Sequence, residues 1–265
     1  MRLLIHLDTR EDAPYENDYH YHLQAGVYSL IREGGLEQVH QKQGYKFFCF
    51  SNIFPFGDYL KGSERSLLVS SPDPTIIEAI ARSSALKAKN NEPLFVGRLQ
   101  FAVTSVSKPF RIGARSSEVI VRSATPIVMR IPRARYEEYE LKPKVDYEYT
   151  FWRNTLPLEA FVKQLVDNIE KKWNEFSTQH TVATNRGNDP LSEPEKLMPE
   201  VLYYRFLKMV SKPITLRQER QMIIGSMWEL SFAPQTLLEQ RVLEFALDCG
   251  FGERNSLGFG FMNVQ

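Results

Sequence analysis

The sequence predicts an α+β protein made of two tandem ferredoxin-like (RRM-like) domains, each with the element order βαββαβ. Three observations support this prediction. In the first half, short β-prone runs and two amphipathic helices follow one another in that order. In the second half the same order recurs, although no residue-level repeat links the halves. A glycine-rich loop, 250–260, then lies close to the end of the sequence. We expect residues 1–123 to form the N-terminal domain and residues 124–265 the C-terminal domain.

The elements of the first half follow from apolar periodicity. Residues 2–8 alternate and are apolar enough for a buried first strand. Apolar residues at helical spacing then predict a helix that ends at the pair Gly34-Gly35. These residues are Leu23, Val27, Leu30 and Ile31. The remaining predictions are a helical turn at 36–40, strands at 46–51, 66–70 and 95–106, and a helix opened by Pro72 and Pro74.

The second half repeats this order of predicted elements. Its first strand is expected at 125–133, and an amphipathic helix follows. The apolar face of that helix comprises Leu158, Phe161, Val162, Leu165, Ile169 and Trp173. The polar stretch 177–199 contains three prolines and is predicted to be an exposed, mobile insertion. The last predictions are a strand pair at 201–210 and 222–232, a helix at 234–249 that stops at Gly250, and a strand at 259–264.

Composition describes a globular chain without an overall charge signal. Of its 265 residues 43% are hydrophobic, and the net charge is +1, so a nucleic-acid site has to arise from local clustering of basic residues. Cys49 and Cys249 lie in apolar segments without metal-ligand spacing, which predicts buried thiols in a reducing cytoplasm. The N-terminal apolar run is too short for a signal peptide, and no segment has membrane-spanning length. We therefore expect a cytoplasmic protein that does not contact membranes.

The glycine-rich loop concentrates four of the fourteen glycines within eleven residues: Gly250, Gly252, Gly258 and Gly260. Glycine has no Cβ, so it adopts positive φ and lets another backbone approach closely, and such a cluster builds a tight turn or a phosphate cradle. A dinucleotide-binding loop is excluded, because it needs a strand before the glycines and a helix after them. Here the order is reversed. A tight connection from helix to strand is the alternative.

Tyr28, His40 and Lys46 are three polar residues in the segment that runs from the first predicted helix to the strand that follows it. At about 100° per residue, Tyr28 lies on the shoulder of the first helix's apolar stripe, so its hydroxyl can reach the surface. An ordinary amphipathic tyrosine is the alternative. His40 follows after twelve residues and Lys46 after six more, at the entrance of a predicted strand.

The segments around these residues resemble the CRISPR repeat-processing endoribonucleases, the sixth Cas protein family, in its archaeal type. The matching stretches are Arg2-Leu-Leu-Ile, Gly26-Val-Tyr28-Ser-Leu-Ile, His40, Gly44-Tyr-Lys46-Phe-Phe and Gly-Phe-Gly-Glu-Arg-Asn-Ser-Leu-Gly-Phe-Gly at 250–260. Between about residues 55 and 200 only the element order matches. The resemblance implies that Tyr28, His40 and Lys46 are catalytic, and that the glycine-rich loop lies against the RNA substrate.

These residue types suit RNA cleavage without metal. The 2′-hydroxyl attacks the adjacent phosphorus and leaves a 2′,3′-cyclic phosphate and a 5′-hydroxyl, which needs a base, an acid and positive charge. His40 is the principal acid or base, since a histidine side chain titrates near neutrality. Tyr28 is its partner, and Lys46 would lower the pKa of Tyr28 and stabilise the transition state. No His, Cys, Asp or Glu group has metal-ligand spacing, so neither metal nor another cofactor is expected.

Basic residues cluster between the predicted domains. Residues 108–135 contain one acid, Glu118, and seven basic residues: Lys108, Arg111, Arg115, Arg122, Arg130, Arg133 and Arg135. Arginine pairs with phosphates and stacks on unpaired bases, so this stretch is predicted to bind RNA, and a merely solvated basic surface is the alternative. The predicted RNA-binding residues are Lys108, Arg111, Arg115, Arg130, Arg133, Gly252, Arg254, Gly258 and Gly260.

The leading hypothesis is a metal-independent endoribonuclease that cuts CRISPR precursor transcript at its repeats to give guide RNA. The alternative is a non-catalytic subunit that binds CRISPR repeat RNA within an effector complex, which the presence of all three candidate catalytic residues disfavours. Other Cas proteins and a second copy of the chain are further candidate partners. Among the other histidines, His20 and His22 could line the same cleft, whereas His6 is expected to be structural and His180 solvated. A general single-strand RNA binder would need paired aromatic residues on its sheet, which the sequence lacks.

Overall fold

The computed structural model of the protein describes residues 1–15, 19–114, 117–142, 147–180, 197–216 and 219–265, except for the side chains of 215, 216, 219 and 220. Over these residues the chain forms a five-stranded and a four-stranded antiparallel sheet, each with its own helices, and a separate two-stranded sheet. No helix in these ranges is both long and apolar enough to cross a membrane.

The N-terminal sheet has the strand order β2-β3-β1-β5-β4. Its strands are β1 (Arg2–Thr9), β2 (Cys49–Phe50), β3 (Glu64–Ser70), β4 (Pro93–Val96) and β5 (Leu99–Val106), and its helices are α1 (Tyr19–Glu33), α2 (Gln38–Gln41) and α3 (Pro74–Asn90). Central β1 runs antiparallel to β3 and β5. Burial alternates along β1, as predicted for a strand with one face on the core.

The C-terminal sheet has the order β11-β6-β10-β9. Its strands are β6 (Val119–Ser123), β9 (Glu200–Leu216), β10 (Glu219–Ala233) and β11 (Met262–Val264), its helices are α4 (Leu158–His180) and α5 (Leu237–Cys249), and the two-stranded sheet comprises β7 (Arg130–Pro132) and β8 (Tyr149–Phe151). Leaving out β4, both sheets place the first strand between the third and the last. This is the ferredoxin-like arrangement, so the predicted fold class is confirmed.

Three predicted strands differ from the observed ones. The run 95–106 is a hairpin, β4–β5, because Gly97 adopts a φ of +62° and turns the chain. Of 46–51, only Cys49–Phe50 is paired. The stretch 125–133 is not the first strand of the second sheet, since that place belongs to β6. Within the stretch, Arg130–Pro132 pair with β8, and Ile127 and Val128 make only isolated bridges, to Ser226 and Glu253.

The position of β6 bears on the domain boundary. Residues 119–123 pair with β10 and β11, so they belong to the second sheet although the predicted boundary assigns them to the first domain. We propose a boundary between Val106 and Val119. The predicted insertion at 177–199 lies largely outside the described residues; Ser177–His180 continue α4 instead of opening a loop.

The two domains meet at the glycine-rich loop. α5 begins with a capping box between Thr236 and Glu239 and ends at Gly250, where the loop begins. The thiol of Cys49 on β2 donates to the carbonyl of Phe259, at 3.2 Å. Phe50, the next residue, packs against Gly258. The fold thus holds the loop between α1 and β2 of one domain and α4 and α5 of the other.

Candidate active site

α1 fixes the position of Tyr28. The apolar residues of this helix, Leu23, Val27 and Leu30, are fully buried and leave Tyr28 half-buried at the edge of the core. Its ring meets the ring of Phe48 edge-on, with centroids 5.4 Å apart. One edge of Tyr28 is thereby held, while its other side borders an open cleft of about 470 Å³.

His40 lies across this cleft from α1. The chain turns back after α1, where the amide of Leu36 donates to the carbonyl of Ile31, and forms the single turn α2. His40 is exposed, and its ring meets Tyr28 edge-on with centroids 5.0 Å apart. Both side chains line the cleft, so a bound ligand there would meet both.

Lys46 completes the group. Its ammonium donates to the carbonyl oxygen of His40 at 2.7 Å and lies 5.2 Å from the centroid of the Tyr28 ring. Partial burial, with a smaller contribution from nearby Lys42, lowers the pKa of Lys46. Three residues that are twelve and six positions apart in sequence therefore surround one point.

The protonation of Tyr28 differs from the expectation. Burial raises the pKa of Tyr28, and hydrogen bonding with Ser256 and Gln24 offsets this only in part. Lys46 is not among the causes of this shift, which is dominated by the loss of water around the phenol. The phenol keeps its proton near neutral pH and can donate it.

A second cleft, of about 370 Å³, adjoins the first and is formed by the glycine-rich loop. Four basic residues and one acid line it: Lys46, Arg130, Lys172, Arg254 and Glu253. Lys46 borders this second cleft and also contacts His40 and Tyr28, which line the first cleft. Ser256 of the loop lies beside Tyr28. The catalytic candidates and the loop therefore form one continuous site with a local excess of positive charge.

The glycines shape the loop from inside. Gly252, Gly258 and Gly260 are all buried, and of the three only Gly252 lines the loop cleft. Gly258 and Gly260 have φ of +83° and +75° and lie against Phe50 and the carbonyl of Phe251, where a Cβ has no room. The loop lines the cleft with Gly252 and with its half-exposed tip, residues 253–256.

A family model described as "CRISPR associated protein Cas6, C-terminal" matches residues 107–264, which is more than half of the chain. The chain belongs to the Cas6 family. The match begins just after β5, in agreement with the boundary proposed above. The predicted family is confirmed, and with it the class of CRISPR-associated endoribonuclease.

Similar proteins agree with this assignment. The CRISPR-associated endoribonuclease Cas6 of Haloferax mediterranei is 28% identical over 266 residues, which cover 100% of this chain and 93% of that protein. The endoribonuclease Cas6 2 of Methanocaldococcus jannaschii is also 28% identical, over 99% of both chains. Two solved structures share the fold at 18% and 19% identity, with coverage of 100% and 99%: "CRISPR associated protein Cas6", TM-score 0.68, and "An RAMP protein binding different RNA substrates", TM-score 0.67.

This Cas6 protein does not gather the predicted RNA-binding residues on one surface. Arg130 is in the loop cleft, where it pairs with Glu253 and stacks over Tyr149, 4.7 Å from the ring centroid. Arg254 lines the same cleft. Lys108 and Arg111 are exposed on the segment after β5, which runs beside the N-terminus and α5. Arg133 is exposed beyond β7, and Arg115 lies outside the described residues.

The alternative histidines do not line the Tyr28 cleft. His20 is 2% exposed and stacks on Phe259, and burial, with a smaller effect of Lys212, lowers its pKa to about 4. His22 packs against Gly97. His6 lies beside Ser66, at 3.4 Å, and His180 stacks on Phe176. Within the described ranges, no three His, Cys, Asp or Glu side chains are arranged to hold a metal ion.

The structure adds three residues to this Cas6 site that the sequence analysis missed. Gln24 and Ser256 lie beside Tyr28, and Lys172 lies under the glycine-rich loop. Gln24 precedes Tyr28 by one helical turn, a spacing that places two side chains on one face of α1. Ser256 is inside the loop motif itself. Lys172 falls on the apolar stripe of α4, at seven residues from Leu165 and three from Ile169, which is an unusual place for a lysine.

Proposed function

We propose that this Cas6 protein cuts CRISPR precursor RNA at its repeats by attack of the RNA's own 2′-hydroxyl, without a metal ion. The observation that carries the proposal is the convergence of Tyr28, His40 and Lys46 on one cleft, next to a basic cleft formed by the glycine-rich loop. An acid–base pair and a cation within one site are what this reaction needs.

The roles follow from the environments of the three side chains. His40 accepts the proton of the 2′-hydroxyl as its oxygen attacks phosphorus. The bond from phosphorus to the 5′-oxygen breaks, and Tyr28, whose pKa is raised by burial, donates its proton to that leaving oxygen. Lys46 stabilises the negative charge that develops on the phosphorane oxygens. The products are a 2′,3′-cyclic phosphate and a 5′-hydroxyl.

The RNA path proposed here runs through the loop cleft. Arg254 and Arg130 supply phosphate contacts, and Arg130 can exchange its pairing with Glu253 for a phosphate. Further RNA contacts stay predicted for Lys108, Arg111, Arg115 and Arg133. Other Cas proteins and a second copy of the chain stay predicted partners.

The test is cleavage of repeat RNA by purified protein in excess EDTA. We expect full activity, because the nucleophile belongs to the RNA, and 5′ fragments that end in a cyclic phosphate. A protein that cuts only after Mg²⁺ or Mn²⁺ is added contradicts the mechanism. A protein that binds the repeat tightly but cuts it under no condition is the non-catalytic subunit instead.

A further inference from the structure

Lys172 of α4 is buried beneath the glycine-rich loop. Its side chain is 1% exposed, and its ammonium donates to the carbonyl oxygens of Gly250 and Gly252, at 2.7 and 2.8 Å, and to Oδ1 of Asn255, at 2.9 Å. An ammonium has three protons, so these bonds satisfy it. All three acceptors are neutral oxygens of the loop.

A buried charge held by neutral acceptors contributes little to the stability of a fold, because its desolvation offsets the free energy of its hydrogen bonds. Removing an ammonium from water costs several kcal/mol of free energy, and a well-packed apolar side chain in the same place would not carry this cost. Burial also lowers the pKa of Lys172. An apolar residue would, however, leave three buried oxygens without a donor. The lysine therefore fixes the shape of the loop, by drawing both ends of the segment 250–255 onto one point.

Asn255 connects Lys172 to the tip of the loop and fixes the position of that tip. Its Nδ2 donates to the carbonyls of Phe251 and Phe259, at 3.1 and 3.0 Å, and so ties the two arms of the loop together. The next residue, Ser256, belongs to the turn Asn255–Leu257, which packs against α1, and it lies beside Tyr28. The preceding residue, Arg254, lines the cleft with Lys46 at a φ of +61°.

We propose that Lys172 is a positioning residue of the endoribonuclease: it holds Asn255 so that Ser256 meets Tyr28 and Arg254 faces Lys46. This inference rests on the function proposed above. Lys172 lies at the base of the loop cleft, is almost fully buried, and has all three ammonium protons bonded to the loop, so none is left for RNA. It acts through the loop, which predicts that its loss and the loss of the Ser256 hydroxyl remove the same contribution to catalysis.

The test is a double-mutant cycle on single-turnover cleavage of repeat RNA, with Lys172→Met, Ser256→Ala and the double variant. We expect Lys172→Met to slow cleavage by about 10²-fold, the order expected when reacting groups are misplaced by about 1 Å. Ser256→Ala should slow it by about 5–10-fold, the range for one hydrogen bond. The double variant should be no slower than Lys172→Met alone. Lys163→Met, an exposed change on the same helix, is the matched control and should cut at the wild-type rate.

Two results overturn the inference: a double variant slowed by the product of the single effects, or a folded Lys172→Met that cuts normally. If Lys172→Met does not fold, Asn255→Ala replaces it in the same cycle, with the same expected non-additivity. Hydrogen exchange at the amides of 251–256, measured without RNA, separates this inference from the proposed function. Exchange should be faster in Lys172→Met than in wild type even if the wild type cuts no RNA, and unchanged exchange contradicts the inference.

Discussion

His40→Ala is expected to slow single-turnover cleavage of repeat RNA by about 10²–10⁴-fold, the usual contribution of one general acid–base group. This corresponds to roughly 2.7–5.5 kcal/mol of activation free energy. The dissociation constant for RNA should hardly change, because His40 is exposed on α2 and acts on a proton that moves only in the transition state. Rates and dissociation constants have to be measured for the same preparation.

His22→Ala is the matched control for this substitution. His22 lies on α1 but packs against Gly97, away from the cleft that His40 and Tyr28 share. Its loss should leave the cleavage rate at the wild-type value. A His40→Ala variant that cuts as fast as wild type would show that the histidine only supports the fold around Tyr28.

Gly260→Ala should destabilise the protein strongly and abolish cleavage. At its φ of +75°, a side chain costs about 1–2 kcal/mol. Its Cβ would also lie 1.9 Å from the carbonyl oxygen of Phe251, which is backbone and cannot rotate away. Overpacking of this kind adds about 1–3 kcal/mol. Urea unfolding should therefore show a loss of roughly 2–5 kcal/mol, together with the displaced loop tip.

Gly35→Ala separates the two causes. Gly35 has a φ of +95° but nothing within 4 Å of the position that a Cβ would take. This variant should lose only the conformational part, about 1–2 kcal/mol, and keep its cleavage activity. Equal losses of stability in the two variants would mean that the close packing of Gly260 contributes nothing to holding the loop.

Much of the fold was predictable because its signals are local. The stripe of Leu23, Val27 and Leu30 gave α1, and burial alternates along β1 as expected. The wrong predictions concern strands whose bounds depend on which partner strand they pair with. A continuous apolar run at 95–106 does not reveal that Gly97 turns it into a hairpin. Likewise, two extended segments near 119–132 both reach β10, but only β6 forms a continuous ladder with it, whereas Ile127 makes a single bridge.

The candidate site was predictable only in part. Tyr28, His40 and Lys46 came from a resemblance, and their proximity depends on the turn between α1 and β2, which no periodicity specifies. The basic stretch 108–135 predicts one RNA-binding surface because its residues are close in sequence. Arg111 and Arg130 nevertheless lie in different surroundings, one near the buried end of α5 and the other in the loop cleft. Lys172 had a visible signal, its place on an apolar stripe, which helix periodicity alone does not explain.

The most direct test of the central claim uses two repeat RNAs that differ in one atom. In the second RNA, the ribose before the mapped cleavage site lacks its 2′-hydroxyl. Wild-type protein in excess EDTA should bind both RNAs equally and cut only the first, because the missing oxygen is the proposed nucleophile. Cleavage of the 2′-deoxy RNA at the same bond would contradict the account, since another nucleophile would then be at work in the cleft of Tyr28, His40 and Lys46.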